Sequence, residues 1–257
     1  MHRATLLAGF LGLLLPADCV VCGQPLESFN RSHVCRKCWD NITYIITDAG
    51  SVPPATTSTG EITKTKPGQP SVGVPGSYRD HTSVFCATEY TGSMPLAIKS
   101  YKYEGRRGVL RGFTQIIEHY LAYSSLTRHA FDQVIPVPLH VSRCRQRGFN
   151  QAEDLARILA ARLHVPLNSK CLMRVIPTAP QTQLSGHERK SNVKKAFAMN
   201  HHQAHPQAGK TVLLVDDVYT TGSTLEAAAR PLRNHGLFVQ FFTLTRAVSA
   251  SSDVIDI

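Results

Sequence analysis

The chain has 257 residues, 42% of them apolar, and a net charge of +10 with pI near 9.4. That length holds one sizeable α/β domain plus a small module, and the apolar content excludes an intrinsically disordered chain. The positive balance suits polyanionic partners, nucleic acid or an anionic membrane surface among them, and a merely solvated basic surface stays open.

From the N-terminus, Ala4 to Leu15 is apolar after His2 and Arg3. It has the pattern of a signal-peptide core but is too short to span a bilayer. Its run into Pro16 and the first cysteine pair predicts a short helix packed on the domain, without stable membrane insertion. The chain has seven cysteines. An odd total with two CxxC pairs points to metal rather than a disulfide framework. Cys19-x-x-Cys22 and Cys35-x-x-Cys38 can each set two thiolates on one ion and together complete a tetrahedron. No ligand position is left open, so the expected ion is a structural zinc that supplies the module's stability. Two disulfides in an exported protein are the alternative, and His33 is a spare ligand. Trp39, Ile42 and Tyr44 to Ile46 are expected to pack the module on its neighbour.

From Ser51 to His81 Thr, Ser, Pro and Gly dominate and no apolar period is visible, which predicts a flexible or extended linker. The expected organisation is a module over residues 1–50, a linker over 51–82 and a main domain over 83–248.

Val84 to Tyr90 reads as a strand, Gly92 as a turn, and Pro95 opens a helix. Lys99, Lys102, Arg106, Arg107 and Arg111 then crowd a short stretch, either a solvated face or the wall of an anion site. Gln115 to Leu126 predicts a helix, and Val134 to Pro138 a short buried strand. Leu139 to Phe149 is expected as a loop carrying Arg143, Arg145 and Arg147. Asn150 is an N-cap with Glu153 at the capping-box position, and Ala152, Leu155, Ala156, Leu159 and Leu163 keep helical spacing behind it. A strand end, a basic loop and a capped helix make an anion site, since guanidinium forks fit phosphate oxygens; an ordinary surface loop is the alternative. Thr178 to Lys195 is polar, a closing lid or a mobile hairpin. His201, His202 and His205 follow as a compositional cue only.

Val212-Leu213-Leu214-Val215 reads as a strand buried on both faces, as in a parallel sheet. Asp216 and Asp217 follow where that strand should end, then Thr220-Thr221-Gly222-Ser223-Thr224 and a helix from Leu225. Amides at a helix start point at an anion, and paired carboxylates suit vicinal hydroxyls. A sugar bearing a phosphate matches both. Ser223 and Glu226 are spaced as a capping box. Pro231 should kink or shorten the helix, Gly236 closes it, and Leu237 to Leu244 predicts the next strand. The tail from Ser249 is expected to be loose.

The Val212–Thr224 run resembles the phosphoribosyl pyrophosphate (PRPP) motif of type I phosphoribosyltransferases. The resemblance implies that Asp216 and Asp217 hold the ribose hydroxyls and that Thr220, Thr221, Gly222, Ser223 and Thr224 hold the 5-phosphate. Pro138, Leu139, His140, Arg143, Arg145 and Arg147 then lie where that family binds pyrophosphate. Val137 to His140, Arg145 to Gln151, the Ile98-Lys99 and Lys102-Tyr103 patch, Gln183 to Ser185 and the cysteine module resemble the ComF family, associated with competence and DNA uptake. This implies a type I phosphoribosyltransferase-like α/β domain, a parallel sheet flanked by helices, with a small N-terminal zinc-binding module. Many relatives carry a second cysteine knuckle where this chain has its linker, so one zinc is expected. The implied ligands are PRPP or another ribose-phosphate with Mg²⁺. Single-stranded DNA and competence-machinery proteins are implied partners, and the cytoplasm the implied location. Thr220 stands where purine-salvage relatives place a general base, and no catalytic residue is identified. The expected function is PRPP binding in DNA uptake, the alternative an active Mg²⁺-dependent transferase on an unidentified acceptor.

Overall fold

The computed structural model describes residues 18–26, 32–45, 82–176, 196–200 and 206–248. The expectations for the N-terminal apolar stretch, the linker, the Thr178–Lys195 loop, the histidine run and the tail lie outside these residues. In chain order the elements are α1 (Arg36–Asp40), β1 (Val84–Glu89), α2 (Met94–Tyr103), α3 (Leu110–Tyr123), β2 (Gln133–Pro136), α4 (Val141–Arg147), α5 (Gln151–Leu163), β3 (Leu172–Arg174), β4 (Phe197–Met199), β5 (Thr211–Tyr219), α6 (Ser223–Asn234) and β6 (Phe238–Arg246).

Four strands form a parallel sheet in the order β1-β6-β5-β2. Its centre is parallel because both faces are covered: Val212 to Val215 are each fully buried. On one face α5 packs Leu155 and Leu159 with Phe113 and Ile117 of α3, against Leu213 and Val215. On the other, α6 packs Leu225, Ala228 and Leu232 against Val212 and Leu214. Beyond β2 the chain leaving α5 adds a parallel bridge, Val134 to Leu167. The connection out of β2 therefore leads to one edge of the sheet, while the connection out of β5 leads the other way to β6. Where two such connections part, the carboxyl ends of the strands bound a crevice.

Several elements differ from expectation. The stretch 139–149 is not all loop, because α4 forms inside it; none of its residues is buried, so no apolar period betrays it. The antiparallel pair β3–β4 has no local signal at three residues a strand. β5 continues through Tyr219 instead of ending at the acidic pair, since Asp216, Val218 and Tyr219 still pair with β6. Pro231 does not shorten α6, which keeps its last turn through Asn234 with Leu232 fully buried beneath it.

The cysteine module is docked on the sheet, as expected for Trp39, Ile42 and Tyr44. Tyr44 bridges Thr88 antiparallel, the Ile45 amide donates to the Ala87 carbonyl (3.0 Å), and the Glu89 amide to the Thr43 carbonyl (2.9 Å). Trp39 lies on α3 where Gly112 leaves room: a Cβ there would meet the indole at 2.1 Å. The ring is also held edge-on by Phe113 at 6.1 Å. Gly112→Ala is therefore expected to cost about 1–3 kcal/mol by overpacking, a drop of several degrees in Tm. Trp39 is the one tryptophan of the chain, so its fluorescence should shift to the red in the same variant.

Candidate functional site

Two constellations carry chemistry. In the first, the sulfurs of Cys19, Cys22, Cys35 and Cys38 all lie within 4.8 Å of one another. Cys19 and Cys38 are 3.8 Å apart and Cys22 and Cys35 3.7 Å. Four sulfurs about 2.3 Å from a central ion form a tetrahedron with edges of about 3.8 Å. The spacing thus fits one tetrahedral ion and is far too long for disulfides, whose S–S distance is about 2.0 Å. Burial pushes the Cys19 thiol up, but amides of Cys35, Cys22 and Val21 outweigh it and bring it down to about 7. This cluster can hold a metal ion. His33 is not part of it.

The second constellation lies at the crevice. Asp216 and Asp217 sit side by side near the end of β5, their carboxyls close enough to interact with each other and both with Lys102 of α2. Asp217, 7% exposed, forms an ion pair with Lys102 of α2. Asp216 accepts the Asp217 amide at 2.9 Å, and its charge reaches Arg174 of β3. Arg174 in turn lies over the Phe197 ring at 5.2 Å. The acids thus form one cluster with Lys102, and Arg174 adds a second positive charge near Asp216. Lys102 appears in the sequence only as one of a basic cluster. Arg174 carries no sequence signal, because only the antiparallel pairing brings it near.

After β5, Gly222 caps α6 in a left-handed conformation (φ 73°). A Cβ at that position would also meet the Tyr219 hydroxyl at 2.8 Å. The capping box does not form, since the helix begins at Ser223 itself, whose amide donates to the Thr221 hydroxyl at 3.4 Å. Glu226 turns instead to Arg233 at 2.6 Å, and Arg233 also donates to Thr82 at 2.9 Å. The Thr221 hydroxyl donates to that of Ser223 (3.1 Å), and Thr220, Thr221 and Ser223 are exposed, with Thr224 half-buried. The first-turn amides have no acceptor within the helix, and among the described residues only the long Ser223 to Thr221 bond competes with an anion at its N-terminus.

The chain leaving β2 is pinned beside it. The Val137 amide donates to the Val215 carbonyl at 2.8 Å, and Asn150 Nδ2 to the Val137 carbonyl at 3.1 Å. Asn150 caps α5 through the Ala152 amide (3.1 Å), but Glu153 pairs with Arg157 and closes no box. Pro138, Leu139 and His140 are half-buried at the crevice. His140 caps α4: its Nδ1 accepts the Ser142 amide at 3.3 Å and lies 2.7 Å from the Ser142 hydroxyl. Arg143 and Arg145 are exposed on α4. Arg147 is stacked 5.0 Å over the Tyr103 ring and donates to Gln151 Oε1 at 2.5 Å.

Burial pushes the Asp216 carboxyl up to about 7, and the neighbouring Asp217 charge adds to this. A folded-state value above the unfolded one means that the folded chain binds the extra proton. Stability contributed this way is present near pH 4 and lost as pH rises toward about 7. Asp216→Asn should accordingly raise Tm by a few degrees at pH 8 and leave it unchanged at pH 4, read from melts at both values.

The sequence pattern of the phosphoribosyl transferase domain matches residues 144–251. DNA utilization protein YhgH of Salmonella typhimurium is 34% identical over 164 residues, covering 63% of this chain and 70% of its own. Competence protein F of Haemophilus influenzae is 33% identical over 163 residues, covering 62% and 70%. Competence protein ComFC of Bacillus subtilis is 29% identical over 179 residues, covering 66% and 65%. A solved adenine phosphoribosyltransferase overlaps 55% of this chain and 71% of that one at 14% identity and a TM-score of 0.36, too loose a likeness to argue from.

Proposed function

The chain belongs to the ComF family, and on that premise we propose that it binds a ribose-phosphate at the β2/β5 crevice and acts in DNA uptake. The observation that carries the reading is the Asp216–Asp217 pair beside the glycine-led start of α6, within the matched phosphoribosyl transferase segment. Asp216 and Asp217 accept the sugar hydroxyls, and the amides and hydroxyls of Thr220, Thr221, Gly222, Ser223 and Thr224 take the 5-phosphate. With PRPP, the pyrophosphate lies toward Pro138, Leu139, His140, Arg143 and Arg145, and Mg²⁺ supplies charge neutralisation on its oxygens. Lys102 neutralises Asp217 in the free protein. Zinc is the ion for the four cysteines, since an all-thiolate set of this spacing leaves no open position and matches a structural site. The working division is a module over 1–50, a linker over 51–82 and a main domain over 83–248. Among the described residues no helix is long and apolar enough to cross a membrane. We place the protein in the cytoplasm, with single-stranded DNA and other competence proteins as its partners.

The test replaces both acids in the chromosomal copy, as Asp216→Asn/Asp217→Asn. DNA uptake or utilisation should be lost, while the purified wild type releases no pyrophosphate from PRPP in the absence of a partner. Unchanged uptake with a stably expressed double variant contradicts the proposal. Wild-type pyrophosphate release that the double variant loses identifies a transferase instead.

A further inference from the structure

The crevice accounts for a sugar and its phosphates but leaves the sugar's C1 side without a partner. Two elements that border the crevice end together on that question. Lys102, the penultimate residue of α2, reaches Asp217, and the next residue, Tyr103, closes the helix with 71% of its surface exposed. Arg147 is the last residue of α4, the helix that starts directly from the crevice residue His140. Its guanidinium lies 5.0 Å over the Tyr103 ring and is clamped by Gln151, itself 6% exposed.

A second arginine–aromatic pair nearby shows what a purely structural pair looks like in this chain. Arg107 lies 4.3 Å over Phe149, but its guanidinium is tied to Asp154 at 2.8 Å. The same carboxylate takes the Tyr101 hydroxyl at 2.5 Å, and Tyr101 packs edge-on against Phe149 at 5.0 Å. Arg107 keeps half of its side chain in solvent, but its guanidinium, the carboxylate and the tyrosine hydroxyl are all partnered. Tyr103 packs on no other aromatic ring among the described residues and presents most of its surface to solvent. A rigid aromatic face backed by a guanidinium, with a ribose site alongside, suits a planar heterocycle: the ring stacks, and the cation strengthens the stack and attracts phosphate.

We propose that Tyr103, backed by Arg147, is a stacking platform for a nucleobase carried by the sugar in the crevice, so that the ligand is a free ribonucleotide whose vicinal hydroxyls reach the acidic pair. This rests on the ribose-phosphate reading and goes beyond it by naming what the sugar bears.

The experiment titrates the full chain with ribose 5-phosphate, AMP and a 5′-phosphorylated oligo(dA) of twelve residues, in wild type, Tyr103→Ala and Tyr103→Phe. AMP should bind about tenfold more tightly than ribose 5-phosphate, the scale of one base stacked on an aromatic ring. Tyr103→Ala should erase that gap and leave ribose 5-phosphate unaffected, and Tyr103→Phe should keep it. The oligo(dA) end has neither vicinal hydroxyl free, so Tyr103-dependent binding of the oligonucleotide alone overturns a nucleotide seated in the crevice. Equal affinity for all three probes in wild type overturns the platform, as does a Tyr103→Ala loss equal for sugar phosphate and AMP. Tyr103-dependent AMP binding without ribose 5-phosphate binding keeps the platform and removes the ribose reading. No binding of any probe removes both.

Discussion

Cys38→Ser will lower Tm by more than about 10 °C, and a strong chelator will do the same to the wild type. Structural zinc in small modules is worth on the order of 10 kcal/mol of folding free energy. The described part of this module offers little else: Leu26 and Val34 are its fully buried aliphatic residues. Loss of the ion cannot stay local, because Cys19, Leu26, Val34 and Cys38 belong to the same core as Phe113, Ile117 and Leu213. The Thr43–Ile45 segment is also hydrogen-bonded along β1. Cys144→Ser is the control, since Cys144 is exposed on α4 and outside the cluster. Calorimetry with and without chelator, alongside metal content by mass spectrometry, checks this. A metal-free wild type that melts at the same temperature contradicts it.

The second large effect is on affinity. Each carboxylate that accepts sugar hydroxyls makes charge-assisted hydrogen bonds worth about 1.5–3 kcal/mol, so Asp216→Asn and Asp217→Asn should each weaken ribose 5-phosphate binding by roughly 10- to 150-fold. Their effects on stability should have opposite signs. Asp217→Asn strands the Lys102 ammonium, whose side chain is 17% exposed, and breaking a buried pair from one side costs up to about 3–5 kcal/mol. Asp216→Asn removes a carboxyl that burial and Asp217 hold near 7, so the apo protein gains at pH 8. Equal losses of affinity with opposite shifts in Tm identify a ligand role for both acids. An affinity loss confined to Asp217→Asn would mean that Lys102, not the ligand, is what Asp217 serves.

Residues whose signal is local were readable in the sequence. The unbroken apolar run Val212 to Val215 marked a strand covered on both faces. Asn150 with Leu155 and Leu159 marked α5, and the two CxxC knuckles marked the metal cluster. What stayed hidden depends on contacts between distant segments. Lys102 meets Asp217 only because α2 folds back over the end of β5, and Arg174 comes near Asp216 only through β3–β4 pairing. The capping box failed because Gly222, not Ser223, is the residue at the cap, and Glu226 turns to Arg233 instead. α4 went unseen because a helix that buries nothing leaves no periodic trace. Both acids lie within a strand because β5 continues through Tyr219, beyond the unbroken apolar run that ends at Val215.

Isothermal titration of the wild type with PRPP and Mg²⁺ tests the crevice most directly. The expected result is saturable one-to-one binding that disappears in Asp216→Asn/Asp217→Asn while that variant keeps its circular dichroism spectrum. Absence of heat from the folded, metal-loaded wild type at millimolar PRPP, or binding that survives loss of both acids, would contradict the site.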